Sequence, residues 1–292
     1  MKVALSILYA LISNVVLSQT NFPALSPAGS ISQEVGFTSI TVDYERPAVR
    51  GRKIFGELVP YGEVWRTGAG KCTRISFDEA VVIDKKKIAA GTYSLFTVPG
   101  KDKWTIILNS DTSLYSAGRY DVAKDIVRFD VNPESSTRFY EAFTIDIDVV
   151  PNDAVIYLSW EKTSVHFMVD TGADQKTIAF IDETLMTGKS LKANEYAAAV
   201  EYYLYQGRDL DKALTLTGFA MARNSKQPWY YNLKIDVLEK QGNYADALVA
   251  AKKHVDLLEQ HGNDFGWDEE TLRVAIASAK SRVSQLTKMA RG

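Results

Sequence analysis

Apolar residues tend to recur at every second position from Ile31 to Asp170, and at helical spacing after Thr171-Gly172-Ala173. A two-residue period buries one face of a pleated strand, whereas a 3.6-residue period buries one stripe of a helix. One layer cannot satisfy both. The change at 171–173 therefore predicts two folding units, a β unit over 31–172 and an α-helical unit over 173–292.

In the first half, strands are expected at Ser39 to Tyr44, Thr73 to Phe77, Thr92 to Val98, Trp104 to Leu108, Ile126 to Val131, Phe143 to Val149, Val155 to Trp160 and Val165 to Val169. The breaks between them carry Gly, Pro, Asn and Asp, and are too short for the crossover helices that parallel pairing needs. A mainly antiparallel β sandwich or flattened barrel of about ten strands follows.

The second half predicts helices at Asp174 to Met186, Lys192 to Gln206, Leu210 to Arg223, Pro228 to Gln241, Tyr244 to Gln260 and Asp268 to Lys288. Pro228 suits a first helical turn, and Gly207, Gly242 and Gly262 suit left-handed helix ends. Tyr196 and Tyr230, Leu204 and Leu238, and Ala213 and Ala247 all stand 34 positions apart. That spacing resembles tetratricopeptide helix pairs, whose small alanines let helices approach closely. Two such repeats cannot bury their own faces, so the array is expected to dock on the β unit or on a protein partner, unless the spacing is that of an ordinary helical bundle.

At the N-terminus, Lys2 precedes an uncharged apolar run from Val3 to Leu17, with small residues before Gln19. This is the pattern of a secretory signal peptide over 1–18, too short for a comfortable spanning helix. Residues 19–30 read as an N-terminal extension. The mature chain is expected in a periplasm or outside the cell, with no membrane span after signal removal. The single cysteine, Cys72, permits no internal disulfide, so stability must come from packing. Basic and acidic residues nearly balance, 34 against 36, which removes any global attraction to nucleic acid.

The stretch Gly51 to Thr73, GRKIFGELVPYGEVWRTGAGKCT, holds two arginines, two lysines, a tryptophan and five glycines. A phosphate-binding P-loop would need glycine where Trp65 stands, Ser or Thr where Cys72 stands, and a helix afterwards. None is present. Gly68 and Gly70 can instead turn backbone N–H groups inward as an anion nest, with charge from Arg66, Lys71 and Arg74. The same residues also suit ordinary β-turns, as at Val59-Pro60-Tyr61-Gly62. Alternation places the Trp65 ring opposite Val64 and Arg66, and the other tryptophans read mostly as core anchors.

Tyr44-Glu45-Arg46-Pro47, GRKIFGELVPYGEVWRTGA, Ala90 to Pro99, Tyr120-Asp121 with Lys124-Asp125, and Trp160-Glu161-Lys162 together resemble an exported bacterial family, common in Bacteroidetes and catalogued as a domain of unknown function. The likeness covers Pro23 to Asp170. It implies export and a β-rich domain, and brings no activity. The chain departs from the family pattern at Gly70-Lys71-Cys72. Arg46, Arg52, Lys53, Tyr61, Trp65, Arg66 and Thr67 match characteristic positions and are the candidate ligand-binding residues.

No catalytic constellation and no cofactor motif is legible. His166, His254 and His261 lack metal spacing and read as solvated. Asp146 and Asp148 read as the wet side of a sheet, Cys72 as buried packing, and Asn109 to Ser113 as the best calcium loop. The expected function is a noncatalytic exported module whose β unit binds a small or polymeric ligand and whose helices contact protein. The alternative is a hydrolase of envelope polymers or an anionic metabolite.

Overall fold

The computed structural model describes residues 22–291, and the expected signal peptide lies outside the described residues. The chain divides into two compact units, the first ending at Ala173 and the second beginning at Asp174.

The β unit has ten strands among its described residues: β1 (Ala28–Val35), β2 (Thr38–Glu45), β3 (Arg74–Phe77), β4 (Val81–Ile83), β5 (Lys86–Ile88), β6 (Gly91–Val98), β7 (Trp104–Asn109), β8 (Asp125–Val131), β9 (Glu134–Val150) and β10 (Asp153–Val169). The strand pairs are antiparallel. One six-stranded sheet has the order β1-β2-β3-β6-β7-β8, and β9-β10 and β4-β5 are separate hairpins. Alternation along β2 buries Ile40, Val42 and Tyr44, and these pack in one core with Phe143, Ile145 and Leu158 of the long hairpin. That is a two-layered sandwich. Each fully buried aliphatic side chain contributes about 1.5–3 kcal/mol.

Besides the earlier start of β9 and the short β4-β5 hairpin, the structure differs from the sequence expectation at three places in this unit. β1 begins at Ala28, inside the stretch read as an extension, because Ala28, Gly29 and Ser30 pair with Glu45, Tyr44 and Asp43. Backbone pairing there needs no apolar signal. The strands expected at Val155 to Trp160 and Val165 to Val169 are one strand, β10. Its register against β9 shifts on both sides of Glu161, where φ is 52°, and this bulge broke the alternation. Finally, the connection from β2 to β3 is not merely an open turn: Val49, Ile54, Phe55 and Val59 are core residues. Its backbone bonds to β9 through Val49 N–H to Glu141 O (2.7 Å) and Phe143 N–H to Pro47 O (2.9 Å), and to β6 through Trp65 and Thr97, which exchange bonds of 2.7 and 3.0 Å.

The helices are α1 (Ala173–Glu183), which starts on the last residue of the first unit, and, within the second, α2 (Ala193–Gln206), α3 (Leu210–Arg223), α4 (Pro228–Lys240), α5 (Tyr244–His261) and α6 (Glu269–Met289). Ala213 and Ala247 are both fully buried, as are Tyr196 and Tyr230 to within 2%. The Tyr230 hydroxyl donates to Asn194 Oδ1 at 2.8 Å and that of Tyr196 to Ser190 O at 3.1 Å. Gly207 and Gly242 are left-handed, but Gly262 is not. It continues α5 as a right-handed turn, φ −58°, and a Cβ there would stand 2.2 Å from Leu272 Cδ1. Close packing, rather than chain reversal, selects that glycine. Among the described residues no helix is long and apolar enough to cross a membrane.

Candidate functional site

The β2–β3 connection borders a cleft of about 440 Å³ whose lining includes Pro47, Arg50, Arg52, Leu58, Val59, Val64, Trp65, Arg66, Gly68 and Ala69, with Leu25, Ser26, Ala117 and Trp160 from elsewhere in the unit. Of the candidate residues, Arg52, Trp65 and Arg66 meet here. Arg46, Lys53, Tyr61 and Thr67 do not.

Each of those four has another place. Arg46 donates from Nε to Phe143 O at 3.2 Å and from its Nη2 to Thr144 Oγ1 at 3.0 Å, tying β2 to the hairpin. Lys53 pairs at the surface with Glu57, 3.2 Å away. The Tyr61 ring covers Gly56, where a Cβ would lie 2.6 Å from Tyr61 Cε2. Thr67 is fully buried. Its hydroxyl bonds Thr97 Oγ1 at 3.1 Å, and its carbonyl accepts from Thr73 Oγ1 at 2.5 Å. Its φ of 55° is a strained value for a β-branched residue, and it holds the turn between Arg66 and Gly68.

The anion nest anticipated at Gly68 and Gly70 is filled by the protein itself. A Cβ on Gly70 would come within 2.1 Å of Glu45 Oε2, and Lys71 N–H donates to Glu45 Oε1 at 3.2 Å. A carboxylate already occupies this turn, so it cannot be the open anion site.

Inside the cleft the donors differ in whether they have partners. Arg52 donates to Val49 O at 3.0 Å and Ala48 O at 2.6 Å, and Arg50 donates to Leu25 O at 2.8 Å. Carbonyls take these side-chain hydrogen bonds, and the Glu141 carboxylate accepts instead from the Arg50 backbone N–H at 2.9 Å. Trp65 Nε1 donates to Gly68 O at 3.0 Å. Arg66 Nε and Trp160 Nε1 are buried without a hydrogen-bond partner. The Trp65 and Trp160 rings stack, centroids 5.8 Å apart at 17°, within a cluster that includes Phe55, Trp104 and Phe143. Trp65 is thus both half-buried packing and cleft wall.

Trp160 and Arg50 are the residues that sequence reasoning did not place in the site. Trp160 adjoins the bulge at Glu161, and such bulges commonly re-aim side chains. The signal was available in the failure of alternation at Trp160-Glu161-Lys162, which coincides with a family-like string.

Other candidates resolve into local structure. Asp111, in the stretch with the nearest likeness to a calcium loop, takes the Lys124 ammonium at 2.7 Å; the hydrogen bonds from Lys124 and Ser113 pull its carboxyl down to about 2. Among the described residues no group of three His, Cys, Asp or Glu is placed to hold a metal. Burial pushes the Cys72 thiol up to about 11, against the lowering effect of nearby Arg66, so it is a thiol at neutral pH. Asp146 and Asp148 are exposed. His254, expected in solvent, is 6% exposed and stacks on Tyr231, because its side of α5 faces the interior. Trp229 and Trp267, expected in the core, are 37% and 39% exposed.

No curated protein and no solved structure matches the chain. Residues 26–169, which run from just before β1 to the end of β10 and contain every residue that lines the cleft except Leu25, match the model of a family described as Protein of unknown function (DUF2911).

Proposed function

We propose that the chain is an exported, noncatalytic binding protein whose β unit takes a small molecule into the cleft beside Trp65, while the helical unit contacts protein. One observation carries the binding role. An aromatic wall and three guanidinium groups border a cleft of about 440 Å³, which lies within the roughly 300–1,000 Å³ range of small-molecule sites. The hydrolase reading lacks comparable support, since no carboxylate, imidazole or thiol is among the lining residues. Export is supported by the apolar N-terminal run and is tested by sequencing the mature N-terminus, expected at Gln19.

The binding role is tested by a small-molecule library screened against the purified chain by thermal shift. An Ala69→Trp substitution, which fills the cleft from its rim, is expected to abolish the shift given by each hit while leaving the near-ultraviolet circular dichroism of a folded protein. Hits that bind this folded variant unchanged would remove the cleft from the function. The protein-contact role is supported by the exposed indoles of Trp229 and Trp267, which border one groove. Alanine at both positions is expected to release a co-purifying partner, and retention of that partner would refute the role.

A further inference from the structure

Resting on the cleft as the binding site, we propose that its ligand is a small organic anion. Its oxyanion head is held by Trp160 Nε1–H and the Arg66 guanidinium, and its apolar body lies against Trp65.

The inference starts from two unsatisfied donors. Four buried side-chain polar atoms among the described residues have no partner, and two of them, Arg66 Nε and Trp160 Nε1, belong to residues lining this one cleft. Trp160 is only 1% exposed. Native proteins rarely leave such groups unpaired, because an orphaned buried donor costs about 1–3 kcal/mol. Phenylalanine at position 160 would supply an aromatic ring without that cost. Both orphaned groups are donors only: neither an indole N–H nor a guanidinium N–H can accept. Their missing partner must therefore be an acceptor.

Charge then selects the kind of acceptor. Arg50, Arg52 and Arg66 border the cleft and no acidic residue does. Arg50 and Arg52 already donate to neutral carbonyls, so they fix the local field while Arg66 supplies direct contact. A guanidinium fork matches the geometry of a carboxylate or phosphate. The remaining lining at Pro47, Leu58, Val59 and Val64 is apolar, so a bare inorganic ion would leave it unused. An oxyanion carrying a flat or aliphatic body fills both parts.

Two neighbouring features preorganise the donors. The strained Thr67, held through Thr97 and Thr73, fixes the backbone beside Arg66. The bulge at Glu161 fixes it beside Trp160. The internal Glu45 carboxylate occupies the adjacent glycine nest, leaving the arginine side of the connection as its open anion-attracting face.

The test is calorimetric titration of the full chain with benzoate, octanoate and phenyl phosphate against neutral benzamide, each to millimolar concentration. At least one anion is expected to bind about tenfold or more tightly than benzamide, the gain typical of a charge-assisted hydrogen bond, and added salt should weaken it. Benzoate against phenyl phosphate separates a carboxylate head from a phosphate head. Trp160→Phe removes the N–H and keeps a ring; Arg66→Lys keeps the charge and removes Nε. Each is expected to weaken the anion about tenfold without changing benzamide binding, whereas Lys53→Ala changes neither. Should Trp160→Phe disturb the core, Arg66→Lys, at a half-buried position, decides the question alone. The inference is overturned if benzamide matches the anions, if no anion binds, or if Arg66→Lys leaves anion binding intact. In each case Ala69→Trp still judges the cleft separately, through the library hits.

Discussion

Two grooves, one in each unit, have nearly the same size and similar ingredients but opposite electrostatics. The β-unit cleft encloses about 440 Å³ between Trp65, Trp160 and Arg66; a groove bordered by α4, α5 and α6 encloses about 470 Å³ near Trp229, Trp267 and Arg282. Arg282 reaches Asp236 at 2.5 Å and Glu239 at 2.9 and 3.0 Å, so its charge is answered within the protein. In the cleft, Arg66 Nε has no partner, and the guanidinium groups of Arg50 and Arg52 donate to carbonyls. The difference teaches that arginine and tryptophan beside a hollow do not by themselves define a site. What defines one is whether the charge is already answered.

Substituting the two arginines should give the largest contrast. Arg282→Met strands two carboxylates and is expected to cost about 1–3 kcal/mol in urea unfolding, below the range for a fully buried pair because water reaches this one. Arg66→Met removes an orphaned donor rather than a paired one and is expected to leave stability unchanged or raise it by up to about 1–3 kcal/mol. Equal costs would break the comparison, since Arg66 would then have internal partners.

A smaller effect is expected at the glycine nest, where the β unit does answer its own charge. Gly70→Ala forces a side chain into the left-handed region, φ +51°, and against Glu45, and should destabilise by about 1–2 kcal/mol. A neutral result in the same urea assay would mean that position 70 is not held in the left-handed region.

The smallest effect is a pH dependence confined to the helical groove. Burial, and then the Arg282 cation, hold the His254 imidazole below its usual 6.5. The unfolded chain therefore takes up a proton that the folded one resists. This contribution to stability is complete above that usual value and is lost as pH falls from it through the lower folded value, with a slope of at most about 1.4 kcal/mol per pH unit. His254→Gln should flatten the profile of helical unfolding just below pH ~6.5. An unchanged slope would place the proton uptake on another group.

The helical unit was legible almost residue by residue. Leu210 to Arg223 is both the expected and the observed span of α3, because start and stop signals are local in the chain. The strand unit was legible in type and orientation but not in partnership. That Ala48 lies beside Ala142 and Trp65 beside Thr97 depends on residues tens of positions apart, and spacing within one segment carries no such information. The same limit explains the site. Trp65 and Arg66 stood out by composition, yet Trp160 joins them only through the fold. Conversely, Arg46 looked like a free cation until the hairpin supplied Phe143 and Thr144 as acceptors.

The connection between β2 and β3 is fastened at one end to the hairpin, through Pro47 and Val49, and at the other to the large sheet, through Trp65. It therefore works like a caliper laid across the sandwich, and the gap between its jaws reports the thickness of the interior. Swelling or shrinking the core at Ile106, the register partner of the Thr97 that anchors Trp65, should alter ligand affinity although Ile106 does not itself border the cleft.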